Sequence, residues 1–370
     1  MVALSAAWAG LIGLSAGACV GFAVSRAQLC SLGAIESALV GGDWRRMKVF
    51  GLALAVALLG TQALILTGLL DEATTTYLPP RIAWLSTIIG SLCFGLGMAL
   101  VGTCAFGCLV RMGGGDLRSL ITMVVFSAVA LATLRGALSN VRLAWLELIT
   151  WEMPGPEPGS LVRLANRWLG SDVRAPLVLA LAAGLILAVA FDKRLRRSPR
   201  LLSAGLVLGV AIVAGWITTG VLIDDFSQPR PQSLTFVAPV ARGLSSTLLG
   251  NGEWLDFGVL MVPGVVLGAF LSAQVGRNFR WEAFDDHHEM RRHLLGAALM
   301  GFGGVLAGGC TVGQGLTAGS LMSVAWPIAV LGMIVGARLG LLILVEGSIG
   351  DIVGTRLQRW CGFKQGSAAE

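Results

Sequence analysis

The sequence predicts an all-α polytopic membrane protein, an inverted repeat of 4+1+4 transmembrane helices with short re-entrant half-helices. Three observations predict this fold class. First, 55% of the 370 residues are hydrophobic and only 13% are charged, whereas a soluble domain carries about 25% charged residues. Second, several apolar runs are long enough to cross a hydrocarbon core about 30 Å thick. Third, one motif rich in glycine occurs twice, once in each half of the chain.

The duplicated motif reads G-x-G-x-x-L-x-G-x-C-x-x-G. Its copies begin at Gly95 and Gly301, and the constant offset of 206 residues places Cys104 in register with Cys310. Each copy ends an apolar run, and its glycines permit a helix break and a close approach of backbone. Non-helical backbone at membrane depth is tolerated only when it is buried in protein or lines a wet path. The motif therefore predicts two helix breaks inside the membrane, each carrying a thiol.

The elements follow the same order in both halves. In the first half we expect spans at residues 2–24, 49–70, 82–102 and 117–138, a half-helix at 31–40 and a Gly-rich break at 105–115. In the second half we expect spans at 201–223, 254–275, 294–307 and 324–345, a half-helix at 233–249 and a Gly-rich break at 313–320. A span at 175–191 links the halves. The chain thus divides into a first half (1–140), a periplasmic connection with linking helix and basic cytoplasmic loop (141–200), a second half (201–350) and a cytoplasmic tail (351–370).

The loop charges orient these spans in a bacterial inner membrane. The net charge of +6 lies mostly in short loops, and basic loops tend to face the cytoplasm. The loops at 45–48, 193–200 and 277–292 are basic, whereas those at 71–81, 140–174 and 224–232 hold much of the acidic and proline content. The N-terminus is then periplasmic, the C-terminus is cytoplasmic, and the odd linking span inverts the second half. Such a pattern indicates membrane topology rather than nucleic-acid binding.

The sequence offers little for enzymatic or metal chemistry. Its seven cysteines include no C-x-x-C pair, and its three histidines all lie within residues 285–293, so we expect neither a disulfide framework nor a metal site. The cluster at 285–289 is interpreted as a solvated loop, with metal binding as the alternative. No acid–base pair, nucleophilic triad or nucleotide loop is evident. The sequence therefore predicts a protein that is not an enzyme and needs no cofactor.

The candidate site consists of thiols at the predicted helix breaks and their polar neighbours. Cys104 and Cys310 lie in the two motifs, and Cys30 follows the first span; the 206-residue offset takes Cys30 to Phe236. A thiol is a soft, weak hydrogen-bond donor, and broken helices expose amides that suit an anion. Together these features favour an anion with sulfur character, while the alternative is that cysteine merely packs there as alanine or serine would. Thr103, Thr311 and Gln314 are the expected neutral hydrogen-bonding partners.

Three arginines fall within or beside apolar runs. Arg26 precedes the first break, where we expect it to attract an anion. Arg135 and Arg338 lie at nearly equivalent places in the two halves, and a charge at such depth often faces a cavity. The alternative is that both side chains snorkel to the interface or pair with Glu147 or Glu346.

With these residues the chain resembles the YeeE/YedE sulfur-transport family. The matching features are the Arg-x-x-x-Cys step ending at Cys30, the two glycine–cysteine motifs, and the stretch from Thr219 to Phe236. The resemblance implies an hourglass-shaped protein with nine spans and several short helices. It also implies that Cys30, Cys104 and Cys310 lie on a central path and pass a sulfur anion by S–H···S hydrogen bonds. A small cytoplasmic TusA-like sulfur-carrier protein is the partner that the resemblance implies.

These observations lead to one functional hypothesis and two alternatives. The hypothesis is inner-membrane uptake of a sulfur-containing inorganic anion, with thiosulfate as the expected substrate. The first alternative is a membrane sulfurtransferase in which a thiol forms a persulfide, which requires an activated thiolate. The second is export, or transport of another sulfur or selenium compound.

Overall fold

The computed structural model describes residues 6–79, 81–146, 150–152, 159–170, 173–222, 230–250 and 252–346. Three sequence-based expectations lie outside the described residues: the cytoplasmic tail at 351–370, the pairing of Arg135 with Glu147, and the pairing of Arg338 with the Glu346 side chain.

The first half of the chain contains six of the main helices. They are α1 (Ala6–Ala27), α2 (Ser31–Leu39), α3 (Arg45–Leu66), α4 (Trp84–Val101), α5 (Ala105–Gly113) and α6 (Leu117–Arg135). A connecting region follows, with the short helix α7 (Ala137–Val141), then α8 (Leu161–Leu169), α9 (Arg174–Ala190) and α10 (Lys193–Arg196). A small antiparallel pair of strands, β1 (Arg81–Ala83) and β2 (Thr150–Glu152), ties this region to the start of α4.

The second half contains another set of long and short helices. They are α11 (Pro199–Gly220), α12 (Val237–Leu249), α13 (Phe257–Gly276), α14 (His287–Leu306), α15 (Ala318–Ser320) and α16 (Ala325–Glu346). A π-helical turn, Gly313–Thr317, leads into α15, and short 3-10 turns lie at Glu72–Thr74 and Gly252–Leu255. The fold is therefore helical almost throughout its described part.

Seven helical stretches of the described chain are long and apolar enough to cross a membrane. Two of them combine a long helix with the short helix after it, over Ala7–Leu39 and Trp84–Gly113. The apolar helix α9 is shorter, at 17 residues, and α14 begins with the charged stretch that follows Asp286. These elements confirm the expectation of an all-α polytopic membrane protein.

Most boundaries agree with the sequence-based expectation to within about four residues, and the largest differences fall at three places. The Gly-rich segments at 105–115 and 313–320 are mostly helical, because amphipathic contacts outweigh the roughly 1 kcal/mol cost of each helical glycine. Helix α14 begins at His287 instead of residue 294. Glu289 in its first turn interacts favourably with the positive end of the helix dipole, so the charged segment extends the helix.

Glycines let four pairs of long helices approach closely, as small residues do in membranes. Helices α1 and α13 run parallel, since Gly264 faces Leu14 while Gly268 faces Ala18. Helices α3 and α11 also run parallel, and a Cβ on Gly209 would lie 2.7 Å from the Ala53 carbonyl oxygen. The first helix of each half thus packs in parallel against the third main helix of the other half.

The helices that carry the two motifs run antiparallel. A Cβ on Gly97 of α4 would lie 2.8 Å from the Met300 amide of α14, whereas one on Gly90 would lie 2.8 Å from the Gly303 carbonyl oxygen. Helix α16 packs parallel to α4, and Gly336 lies against Leu92. The two motifs therefore approach the centre of the molecule from opposite ends.

A buried ion network joins the connecting region to the second half. Glu72 is 3% exposed and accepts hydrogen bonds from Arg163 at 2.6 Å and from Arg174 at 2.9 and 3.1 Å. Gln62 of α3 donates to the Ser320 carbonyl at 3.0 Å, and Arg174 contacts the Gln62 Oε1 at 3.4 Å. The network fixes α9 and the end of α15 against the same face of α3.

Candidate functional site

Each motif thiol lies between a helix that ends and a helical segment that begins. Gly102 adopts a left-handed φ of 79° and terminates α4, and the extended Cys104 then caps α5. The Gly107 amide donates to the Cys104 Sγ at 3.3 Å. In the second motif Gly308 has a φ of 76°, and the Gly313 amide donates to the Cys310 Sγ at 3.4 Å. The sequence repeat therefore produces the same local geometry twice.

Cys30 occupies a related position at the N-terminus of α2. Gln28, with a φ of 49°, turns the chain out of α1, and Cys30 is the extended N-cap residue of the half-helix. Its Sγ lies 3.3 Å from the Thr103 Oγ1, and its thiol lies near the Cys104 thiol. Two of the three predicted thiols are thus close neighbours.

Hydroxyl groups connect the first half to the second. The Ser31 Oγ lies 3.1 Å from the Thr311 Oγ1, and the Ser31 hydroxyl also lies near the Cys104 thiol. Thr311 follows Cys310 directly in the chain, and Cys104 and Cys310 are only 1% and 0% exposed. Both thiols lie inside the main core of the protein and away from the lipid-facing surface.

Gln314 is buried beside the second motif. Its Nε2 donates to the Ala307 carbonyl at 2.9 Å, while its Oε1 has no partner in the described structure. The equivalent residue of the first motif is Cys108, which is fully buried. Of the predicted polar neighbours, Thr103 and Thr311 are adjacent in the chain to a motif thiol, and Gln314 follows Cys310 by four residues.

Cavities approach this thiol and hydroxyl cluster from both ends of the molecule. The largest, of about 680 Å³, is lined by Arg26, Cys30, Thr103 and Gly107. A cavity of about 300 Å³ reaches Gly308 and Gly309 beside Cys310. These two cavities lie at opposite ends because α14 begins near the lining of the larger cavity and ends in the lining of the smaller one.

A third cavity, of about 460 Å³, lies at the same end as the smaller one. Its lining includes Gln314 together with Ser86 and Thr87 from the first turn of α4. The far end of that helix, at Gly102, lines the largest cavity. The buried cluster is consequently flanked by polar cavities on both sides.

The largest of the three cavities is basic, since its lining holds more arginines than carboxylates, the latter being Glu36, Asp116 and Glu282. Its lining includes the predicted residue Arg26 and four further arginines that the sequence analysis did not single out: Arg46, Arg111, Arg200 and Arg280. Arg118 also lines it, but Asp116 and Glu289, each 3.2 Å away, and Glu282 offset its charge. The positive potential of this cavity favours anions.

The opposite end carries a different polar set that the sequence analysis also missed. Arg242 forms an ion pair with Asp256 at 2.8 Å and donates to the Gln232 Oε1 at 2.8 Å. Burial raises the pKa of the Tyr77 hydroxyl, which therefore stays protonated and lies near the Thr235 side chain. All of these residues except Asp256 line the 300 Å³ cavity. Tyr77 comes from the loop before β1, and the other residues come from the loop before α12, from α12 itself and from the start of α13, which is why no local sequence pattern indicated them.

Three other groups singled out from the sequence lie elsewhere. Arg135 and Arg338 have exposed side chains and line none of the three cavities described here. Asp286, His287 and His288 form an exposed cluster at the start of α14, with donor atoms within 4.8 Å of one another. His287 pairs with Asp286 at 2.8 Å, as expected of a solvated surface group.

A polytopic helical protein with polar cavities at both ends of a buried cluster has the architecture of a membrane transporter. The family model for sulphur transport matches residues 26–339 of this chain. The thiosulfate transporter TsuA of Escherichia coli K12 is 30% identical over 346 residues, covering 88% of this chain and 92% of that protein. The thiosulfate transporter TsuA of Spirochaeta thermophila is 27% identical over 337 residues, covering 84% and 90%. The chain therefore belongs to the sulphur transport family and is a transporter, not an enzyme.

Proposed function

We propose that this protein takes up thiosulfate across the bacterial inner membrane and passes it between cysteine thiols. The observation that carries the proposal is the cluster of Cys30, Cys104, Ser31 and Thr311, which continues to Cys310 and has a cavity at each end. The names of the two relatives support thiosulfate as the substrate.

The architecture proposed for this transport is the inverted 4+1+4 repeat, narrowing at its centre like an hourglass. Two observations support it. The α1–α13 packing has a counterpart in the α11–α3 packing, and the motif helices α4 and α14 run antiparallel. Counting α9 and α14 with the seven long apolar stretches makes nine spans, with residues 1–140 and 201–350 as the halves and α9 between them.

The proposed orientation places the basic cavity at the cytoplasmic face. Arg46, Arg200 and Arg280 belong to the basic loops and line this cavity, and basic loops tend to remain in the cytoplasm. The N-terminus is then periplasmic, and thiosulfate arrives through the cavities beside Tyr77 and leaves past Arg26. A TusA-like carrier in the cytoplasm would receive the sulfur at the basic cavity.

The residues along the route act as hydrogen-bond donors in turn. Arg242, whose charge is offset by Asp256, and Tyr77 present N–H and O–H donors to the anion at the periplasmic side, and Gln314 and Thr311 position it near Cys310. The thiols of Cys104 and Cys30, with the Thr103 hydroxyl, then present donors on the cytoplasmic side. Amides at the starts of α2 and α5 add positive potential at the same points. Because the thiol is a soft, weak donor, it matches the terminal sulfur of thiosulfate and releases it readily.

Uptake of ³⁵S-thiosulfate by a sulfur-auxotrophic bacterium that depends on this protein tests the proposal. We expect Cys104→Ala and Cys310→Ala to lower the initial rate at least tenfold at equal membrane abundance. Cys19→Ala is the matched control, since Cys19 is an exposed thiol on α1, and its rate should equal that of the wild type. Wild-type rates in both motif variants would disprove the thiol relay.

Mass spectrometry separates transport by neutral thiols from covalent sulfur transfer. Protein incubated with thiosulfate should keep unmodified thiols, because the described surroundings of Cys104 are hydroxyl, amide and thiol groups and include no histidine or lysine base. A persulfide on Cys30, Cys104 or Cys310 would contradict the relay.

A further inference from the structure

The position equivalent to Cys30 in the second half is a phenylalanine. Phe236 lies 206 residues after Cys30, and the two residues hold the same structural place: Cys30 is the N-cap residue of α2, and Phe236 is that of α12. The cluster therefore has four equivalent positions, of which three carry thiols and one carries an aromatic ring.

The Phe236 ring stacks on Phe106, which lies two residues after Cys104. The ring centroids are 4.8 Å apart with an interplanar angle of 24°, and the side chains are 0% and 3% exposed. This phenylalanine pair joins the halves of the protein, as the Ser31–Thr311 contact does on the polar side. The Phe236 backbone lies near the Cys310 thiol and Phe106 follows Cys104 by two residues, so each ring of the pair belongs to a residue close to one motif cysteine.

The phenylalanine pair separates the cavities at the two ends. Thr235 and Val237, on either side of Phe236, line the 300 Å³ cavity, and Gly107, next to Phe106, lines the 680 Å³ cavity. Neither ring belongs to the lining of the three cavities described above. Each cavity thus ends close to one ring of the pair.

We propose that the Phe106–Phe236 pair is the barrier between the two cavities and a determinant of anion selectivity. This inference rests on the proposed thiosulfate transport and adds the residues that exclude other anions. Ring carbons cannot hydrogen-bond an anion, so the pair prevents a continuous water column through the centre. An anion that passes must exchange its water for the adjoining thiols, hydroxyls and amides. Thiosulfate offers these weak donors a soft sulfur, whereas sulfate offers only strongly hydrated oxygens.

The substitution of phenylalanine for a fourth thiol is consistent with this role. A cysteine at 236 would leave a void beside Phe106 and would lengthen the polar surface between the cavities. Truncation of a buried ring leaves a cavity because the surroundings relax only partially, and a cavity bordered by hydroxyls and thiols has room and partners for water. Removing the Phe236 ring should therefore hydrate the barrier.

Flux measurements in proteoliposomes of the full-length protein test the inference. We expect Phe236→Ala to lower the ratio of ³⁵S-thiosulfate to ³⁵S-sulfate flux at least tenfold, mainly by raising sulfate flux. Phe236→Leu, a smaller change that is less disruptive to folding, should lower it by a smaller factor. Phe126→Leu is the control, because Phe126 is fully buried in α6 and lines none of these cavities. Ratios within twofold of the wild type in both Phe236 variants, or loss of both fluxes, would overturn the inference.

Labelling of Cys30 provides a test that does not depend on transport. The anionic thiol reagent MTSES, added to sealed vesicles of either orientation, should modify wild-type Cys30 only from the side of the 680 Å³ cavity. In Phe236→Ala it should modify Cys30 from both sides, as read by peptide mass spectrometry. One-sided labelling in this variant would refute the barrier. If the wild-type protein transports no thiosulfate but Phe236→Ala still allows labelling of Cys30 from both sides, the proposed function is wrong and the barrier is supported.

Discussion

At the residue scale, Cys104 combines a structural role with a chemical one. Its sulfur accepts the Gly107 amide at 3.3 Å and so caps α5. The same thiol lies near the Cys30 thiol and the Ser31 hydroxyl. Serine caps helices well, but it replaces a soft sulfur by a hard oxygen. The two roles are therefore separable by substitution.

We expect Cys104→Ser to keep the stability of the protein and to lose transport. The serine hydroxyl should cap α5, so the melting temperature in detergent should stay within about 2 °C of the wild type, since cap losses are worth about 1 kcal/mol. Thiosulfate uptake should fall at least tenfold, as in Cys104→Ala, which also loses the cap. Full uptake by Cys104→Ser would show that a hydroxyl suffices and that sulfur is not required.

Glu72 is the second residue whose surroundings decide its role. Its carboxylate is almost fully buried between Arg163 and Arg174, and removing one member of a buried ion network leaves uncompensated charge. Glu72→Gln should destabilise the protein by about 3 kcal/mol, read as a lowered melting temperature in detergent. Asp285→Asn, at an exposed carboxylate, should leave melting unchanged. Equal melting temperatures of the two variants would contradict a stabilising role of the buried ion network.

At the element scale, glycine sets how closely the long helices approach. A Cβ on Gly268 would overlap the Ala18 carbonyl oxygen, whereas a Cβ on Gly184 of α9 meets nothing within 4 Å. The two glycines look alike in the sequence, since both lie in the middle of apolar helices. Only their packing distinguishes them. Gly268 lies against a helix from the other half of the chain, whereas the space beside Gly184 is open.

These two glycines provide a matched pair of substitutions. Gly268→Ala should separate α1 from α13 and lower both membrane abundance and melting temperature, because backbone atoms cannot move aside as a flexible side chain can. Gly184→Ala should be neutral or stabilising by about 0.5–1 kcal/mol, since alanine is the better helix former. Thermal melting of the two purified variants checks this, and the reverse order would contradict the described packing.

At the scale of the whole molecule, the direction of the chain decides which cavity meets the periplasm. Thr74 and Lys193 are both exposed and lie in loops of opposite charge character. In intact cells an impermeant maleimide should label Thr74→Cys, and it should label Lys193→Cys only after permeabilisation. The wild type supplies the labelling background. The opposite pattern would reverse the proposed orientation and would make the basic cavity periplasmic.

The sequence by itself determined the membrane class, the order of the long helices and the three thiols at helix ends. Hydropathy directly reflects burial in lipid. The two copies of the repeat, Gly95–Cys108 and Gly301–Gln314, are each an unbroken stretch of sequence and can be recognised without knowledge of the fold. The sequence could not show that residues 105–113 form a helix, because glycine weakens a helix locally and tertiary contacts stabilise it. It also missed Ser31, whose partner Thr311 is 280 residues away.

Only the tertiary structure decided which side chains meet. Tyr77 and Gln232 of two loops become neighbours of Arg242 of α12. Phe106 at the start of α5 likewise stacks on Phe236 at the start of α12. Arg135 and Arg338 lie at nearly equivalent places in the two halves of the sequence, where a charge often faces a cavity. The structure shows that both side chains are exposed instead. Depth along a helix can be read from hydropathy, but the direction in which a side chain faces depends on the helices packed around it.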